Sequence, residues 1–177
     1  MILLSHIGPM KLFALLTPAL LLVSCAGYQM GGSKPPSLAR VKTIAVPMFV
    51  NSTLQPRAEV LATSAVANAF LQDGTYRIGK RDQADAVLEG DLRSIRYAVK
   101  RSTRYDTLRP EGLSNTVTIS WRLLDAKDPT KVLATGTSTG SSELFASGNI
   151  QTAKNNALPE ACERAAVSLV SRLADGY

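Results

Sequence analysis

Residues 115–125 read NTVTISWRLLD, and apolar and polar side chains alternate along this stretch. One set of alternating positions carries Val117, Ile119, Trp121 and Leu123, and the other set carries Thr116, Thr118, Ser120 and Arg122. A period of two is typical of a strand with one buried and one solvated face. The stretch therefore predicts a strand of a sheet that is covered by other elements on one side.

Three neighbouring stretches predict the other strands of this sheet. Residues 84–105 predict a long twisted strand in which Gly90 marks a bulge. Residues 131–140 follow the turn residues Asp128 and Pro129 and predict a hairpin partner. Residues 41–50 are rich in β-branched side chains, and Pro47 places them at a sheet edge or at a strand end.

Two segments carry a helical pattern. The first runs from about 56 to 73, with Leu61, Ala65, Val66, Ala69 and Phe70 as its apolar face. The second runs from about 150 to 174, and Cys162 lies on its apolar stripe. The order strand, helix, three strands, helix predicts an α+β fold. We expect a two-layer sandwich in which both helices cover one face of a mostly antiparallel four-stranded sheet.

The N-terminal residues have the pattern of a signal peptide. Residues 12–23 form an apolar run that is too short to span a bilayer, and Ser24 and Cys25 follow it. We expect a signal peptide over 1–24, a lipidated tether over 25–37 and one domain over 38–177. Met10 is an alternative start, since the first basic residue, Lys11, follows it directly.

The sequence around Cys25 resembles the bacterial lipobox. That resemblance implies cleavage before Cys25 and acylation of this cysteine, which would anchor the protein without a spanning helix. Ala26 takes the place of an acidic retention signal. The expected location is therefore the periplasmic face of the outer membrane of a Gram-negative cell.

The residue inventory argues against an enzyme. His6 is the only histidine, and it lies in the predicted leader, so imidazole-dependent triads and most catalytic zinc sites have no histidine to use. Residues 136–140, GTSTG, match the nucleophile-elbow motif by letter only, because they fall in a predicted strand. We predict no catalytic residue, no metal site and no cofactor.

The positive charge is concentrated in one segment. The chain has 20 Lys and Arg against 14 Asp and Glu, and residues 93–109 hold six basic residues against one acidic residue. On the predicted strand, Arg96, Lys100 and Arg104 lie opposite the apolar positions 95, 97 and 99. A solvated strand face, a nucleic-acid surface and a site for anionic lipid are the three interpretations. Nucleic acid is excluded by an envelope location.

The chain resembles the LptE family of lipopolysaccharide-assembly lipoproteins. The resemblance covers Cys25 to Gln29, Ile44 to Thr53 and Ala84 to Gly90, followed by the closing amphipathic helix. It implies a non-enzymatic protein that plugs the β-barrel LptD, assists its assembly and helps insert lipopolysaccharide into the outer leaflet. It gives no position-by-position match for contacts to lipopolysaccharide. We predict that lipopolysaccharide is contacted by Arg96, Lys100, Arg101 and Arg104. This prediction rests only on their charge and on their positions along the predicted strand.

A second family shares part of this pattern. Envelope domains of the TolB N-terminal and CsgG type also combine a strand of the form IAVxxFxN with a helix and an ADxxLxG segment. They would make the chain a complex-assembly module without lipopolysaccharide handling. The Gly-Tyr pair next to Cys25 and the single closing helix favour the LptE resemblance.

Overall fold

The computed structural model describes residues 34–100, 112–145 and 149–176. Its two helices are α1 (Ala58–Asp73) and α2 (Ile150–Asp175). Its strands, in chain order, are β1 (Thr43–Ala45), β2 (Val50–Asn51), β3 (Arg77–Ile78), β4 (Ala86–Lys100), β5 (Gly112–Asp125) and β6 (Val132–Phe145). Within these ranges, neither helix is long and apolar enough to cross a bilayer.

The strands form one mixed sheet in the order β3-β1-β4-β5-β6, with β2 paired beside β4. Strands β4, β5 and β6 are antiparallel, whereas β1 pairs in parallel with both β3 and β4. The predicted α+β class is confirmed, but the predicted four-stranded, mostly antiparallel sheet is wrong in its details. Strands β2 and β3 have only two residues each, which is too short for a period-two pattern to appear in the sequence.

The core lies between the sheet and the two helices. The predicted inner face of β5 is confirmed, since Val117, Ile119 and Leu123 are fully buried and Trp121 nearly so. These residues share one apolar cluster with the inner residues of both helices. The predicted stripe of α2 is confirmed too. Cys162 on that stripe is fully buried, and burial raises the pKa of its thiol to about 11.

The bulge in β4 lies elsewhere than predicted. The register against β5 shifts between Leu92 and Ser94, and Gly90 pairs regularly with Trp121. Gly90 serves the packing of Phe49 instead, because a Cβ at position 90 would overlap the Phe49 ring. The glycine is therefore a close-packing position, and the bulge falls at Arg93.

Smaller boundary expectations also changed. Helix α1 begins at Ala58 and ends at Gly74, which has a φ of 74°. Leu61 was predicted on its buried face but is 37% exposed. Pro47 follows the end of β1, and β1 lies inside the sheet, so the strand-end interpretation of that proline holds and the edge interpretation does not. Pro159 lies within an uninterrupted α2.

Candidate functional site: the open face of the sheet

The sheet face opposite the helices carries polar side chains and is not covered by any helix in the described ranges. We call it the open face and define it by four cross-strand rows of β4, β5 and β6. The rows are Glu89, Arg122 and Thr135; Asp91, Ser120 and Thr137; Ser94, Thr118 and Thr139; and Arg96, Thr116 and Ser141. Eight of these twelve residues are serine or threonine, so the open face is mainly a hydroxyl surface.

Hydrogen bonds and ion pairs hold the open face in place. The hydroxyls of Thr116 and Ser141 lie 3.0 Å apart across β5 and β6. An Nη of Arg122 lies 3.0 Å from a carboxylate oxygen of Glu89. The Nε of Arg93, at the bulge, lies 3.2 Å from Asp91. Glu89 and Asp91 therefore each lie against an arginine.

The structure describes only part of the predicted basic segment. Arg96 is exposed on the open face, opposite the apolar side of β4, as its position in the alternation predicts. Lys100 is the last residue of β4 and pairs with Gly112. Arg101 and Arg104 lie outside the described residues, as does the predicted lipidation site Cys25.

A groove of about 830 Å³ opens beside the open face, between its first two rows and the segment after β1. One wall is apolar and consists of Pro47, Met48 and Val50. Three arginines also line the groove: Arg81, Arg93 and Arg122. Sequence reasoning missed this groove because its residues come from distant segments and no local motif links them.

The segment from Pro47 to Gln55, which carries the apolar wall, is fixed to the domain by side-chain hydrogen bonds. The backbone N–H of Phe49 donates to Thr63 Oγ1 on α1 at 3.0 Å. Asn51 donates to Glu59 at 2.7 Å and accepts from the backbone N–H of Thr53 at 3.0 Å. The Ser52 hydroxyl donates to Asp91 at 2.7 Å. The backbone that carries the apolar wall is therefore fixed to the domain.

Other motifs have structural roles. Residues 136–140 lie within β6, where Ser138 is buried and accepts the indole N–H of Trp121 at 3.1 Å. No strand-to-helix turn occurs at this position. In the described part of the chain, no group of three or more metal-ligating side chains comes together.

Asp85 also has a local role. Its carboxylate accepts the backbone N–H groups of Lys42 and Thr43, each at 2.9 Å. The bonds from Thr43 and Lys42 lower the pKa of Asp85 from its ordinary value of 3.8. Asp85 therefore pins the start of β1 to the start of β4.

Solved structures with the same fold come from several bacteria. A PelC dodecamer from Paraburkholderia phytofirmans is 21% identical, with a TM-score of 0.52 over 80% of this chain and 96% of that one. Protein XCC0632 from Xanthomonas campestris is 16% identical, with a TM-score of 0.51 over 80% and 89%. The hypothetical protein CT253 from Chlamydia trachomatis is 11% identical, with a TM-score of 0.51 over 74% and 94%. At these identities the likeness concerns the fold alone.

Sequence comparison identifies the family. No functionally curated protein matches the chain. The family model described as "LptE: Lipopolysaccharide-assembly" matches residues 41–173, a range that begins just before β1 and ends within α2. The match covers most of the chain and confirms the resemblance first seen in the motifs. The chain therefore belongs to the LptE lipopolysaccharide-assembly family.

Proposed function

We propose that this protein is an outer-membrane lipoprotein, anchored through Cys25, that plugs an LptD-type β-barrel and assists its assembly and the insertion of lipopolysaccharide. Membership of the LptE family supports this proposal. The protein acts by binding and has no enzymatic activity. Lipid chains on Cys25 hold the domain at the periplasmic face of the membrane.

The hydroxyl-rich open face is the structural observation that carries the proposal. The interior of a large outer-membrane barrel is polar and hydrated, unlike its lipid-facing exterior. A plug must therefore present polar groups that can bind water or the barrel wall. The open face offers serine and threonine hydroxyls in ordered rows, whereas the opposite face is buried under the helices. We propose that the open face meets the inside of the barrel.

Site-specific crosslinking tests this contact. A photoreactive side chain replaces Thr139 or Ser141, both exposed on the open face of β6. Matched controls place it at Val167 or Ser171, which are exposed positions of α2. The full-length lipidated protein is irradiated in intact outer membranes, and adducts are identified by mass spectrometry. We expect a large barrel protein with heat-modifiable gel mobility to crosslink through the open-face positions more strongly than through α2.

Three outcomes would each contradict a part of the proposal. Crosslinks only to small periplasmic or ring-forming proteins would favour a complex-assembly module of the TolB or CsgG type. Equal crosslinking to the barrel from α2 and from the open face would support the barrel as the partner. It would contradict the assignment of the open face as the contact surface. If a Cys25→Ser variant still fractionates with the outer membrane as the native protein does, the proposed lipid anchor at Cys25 is contradicted.

The basic segment that includes Arg96, Lys100, Arg101 and Arg104 is proposed to contact lipopolysaccharide phosphates. Arginine suits this role because its guanidinium can bind phosphate through two parallel hydrogen bonds. Replacing all four residues with serine should weaken lipopolysaccharide binding by the purified protein. Unchanged binding would remove this assignment while leaving the barrel contact in place.

A further inference from the structure

We infer that the groove between Met48 and Arg122 binds the headgroup and adjoining apolar part of a phosphorylated amphiphile. The inference deepens the proposed function, and it rests on that function only for the source of the ligand. The groove shares only Arg93 with the described part of the basic segment 93–109, because Arg96 is not among its lining residues. Its recognition chemistry comes from three sets of groups: guanidiniums, an apolar wall and hydroxyls.

The three arginines that line the groove come from separate elements. Arg122 lies on β5, Arg93 at the bulge of β4, and Arg81 in the short 3-10 turn Arg81–Gln83. Arg93 and Arg122 each contact a carboxylate through one nitrogen, and their side chains remain 61% and 62% exposed. Since a guanidinium carries five N–H donors, both retain donors for the oxygens of a phosphate. Arg81 is exposed and forms no ion pair with another described residue.

The apolar wall is an exposed hydrophobic surface on an anchored stretch of backbone. Met48 is 60% exposed and Val50 is 62% exposed, on either side of the buried Phe49. The Phe49 ring packs over Gly90, and the Asn51 and Ser52 hydrogen bonds fix the chain that follows. A wall held in this way pays little conformational entropy when a ligand covers it. Methylene groups next to a headgroup are the natural occupant of such a wall.

The charge balance indicates an amphiphile more than a free anion. Glu89 and Asp91 line the same groove and offset two of its three arginines, so the net charge is about +1 before a ligand binds. Such a site attracts inorganic phosphate weakly. A ligand that also covers Met48 and Val50 gains apolar contact as well. Hydroxyls of Ser120, Thr135 and Thr137 complete the groove and suit a sugar or glycerol headgroup.

The groove has the size of a headgroup site. A volume of about 830 Å³ lies within the range of small-molecule sites. A multi-acyl lipid cannot fit entirely in that space, so most of its acyl chains must lie outside. The groove therefore takes the phosphorylated headgroup and the first methylenes of a lipid whose remainder is held elsewhere.

The test uses the full-length lipidated protein in detergent and three probes: lipid A carrying its phosphates, the same lipid A after phosphatase treatment, and phosphatidylglycerol. The groove variant combines Arg81→Gln with Met48→Ser. Its matched control combines Arg77→Gln with Leu71→Ser, which are exposed positions outside the groove. Equal thermal midpoints of both variants and the native protein establish that each is folded. Affinities are measured by native mass spectrometry.

We expect the groove variant to lose about tenfold or more in affinity for a phosphorylated lipid, since one charge-assisted hydrogen bond and one apolar contact are removed. The control variant should bind like the native protein. Millimolar inorganic phosphate should not displace the lipid. A preference for lipid A over phosphatidylglycerol would identify the glycolipid as the source, and equal affinity would identify ordinary phospholipid.

Three results would overturn the inference. They are equal lipid affinity of the groove variant and the native protein, equal affinity for lipid A with and without its phosphates, and no lipid binding by the native protein. The crosslink from Thr139 to the barrel is recorded in the same preparations. If the otherwise native protein gives no crosslink from Thr139 to a barrel, the proposed function is contradicted. Loss of lipid binding alone would contradict only the groove.

Discussion

The buried hydroxyl of Ser138 accepts the indole N–H of Trp121 at 3.1 Å. The two residues come from neighbouring strands, β6 and β5. Trp121 is the only tryptophan of the chain, so this hydrogen bond belongs to the only indole in the protein. A serine in a GTSTG sequence thus satisfies a buried donor in the core.

Ser138→Ala should destabilise the fold by about 1–3 kcal/mol, because it leaves the buried indole N–H without a partner. Urea unfolding followed by Trp121 fluorescence measures the loss. Thr139→Ala, on the exposed side of the same strand, is the control and should change the free energy of unfolding by less than about 0.5 kcal/mol. Equal stability of Ser138→Ala and the native protein would show that this hydrogen bond contributes nothing.

Gly140→Ala should also destabilise the protein, by about 1–3 kcal/mol or more. A Cβ at position 140 would overlap the backbone of α2 at Ala161 and Ala165, and a helix backbone cannot yield as a side chain can. Thermal unfolding measures the effect. Thr139→Ala, next to it on the open face, should behave like the native protein. A native-like melting temperature for Gly140→Ala would mean that α2 does not pack directly on β6.

Asn115→Leu should stabilise the protein by about 1–3 kcal/mol. Asn115 is fully buried on the helix-facing side of β5, and neither its amide nitrogen nor its amide oxygen has a hydrogen-bond partner among the residues that the structure describes. Leucine has a similar size and removes both unsatisfied groups. Asn155→Leu, at an exposed position of α2, controls for added hydrophobicity. A lower free energy of unfolding for Asn115→Leu would show that the amide is satisfied in solution.

Asp85→Asn should flatten the acid limb of the stability profile. The folded pKa of Asp85 is lowered, so its stabilising contribution is present above the unfolded pKa of about 3.9 and is lost as the pH falls through the folded value. The native urea midpoint should therefore exceed that of Asp85→Asn at pH 7, and the two should converge once the pH falls below the lowered pKa of folded Asp85. Asp82→Asn, at an exposed turn, is the control. Parallel profiles of Asp85→Asn and the native protein would contradict this role.

Periodicity predicted the long elements because each of them has one buried side. Strand β5 buries every second residue from Leu113 to Leu123, and α2 buries a stripe that includes Cys162. A regular element with one dry face must repeat apolar residues at its own period, so the pattern can be read locally. The same logic explains why the α+β class was predictable.

The short strands and α1 were harder to predict. Strands β2 and β3 are defined by parallel pairing with residues 34 or more positions away, and two residues cannot show a period. Leu61 fits the apolar pattern of α1 but remains partly exposed, because the sheet and α2 reach only the other side of that helix. The candidate groove was unpredictable for a similar reason, since Met48, Arg81 and Arg122 meet only through the sheet.

The sequence by itself determined the family, the fold class, the inner faces of β5 and α2, and the concentration of basic residues over 93–109. These properties are local, because they depend on residue order and on the period of one element. Only the tertiary structure decided that Gly90 makes room for Phe49, that Ser138 pairs with Trp121, and that one sheet face stays open and polar. These properties depend on which distant segments pack together, and chain order alone does not specify that.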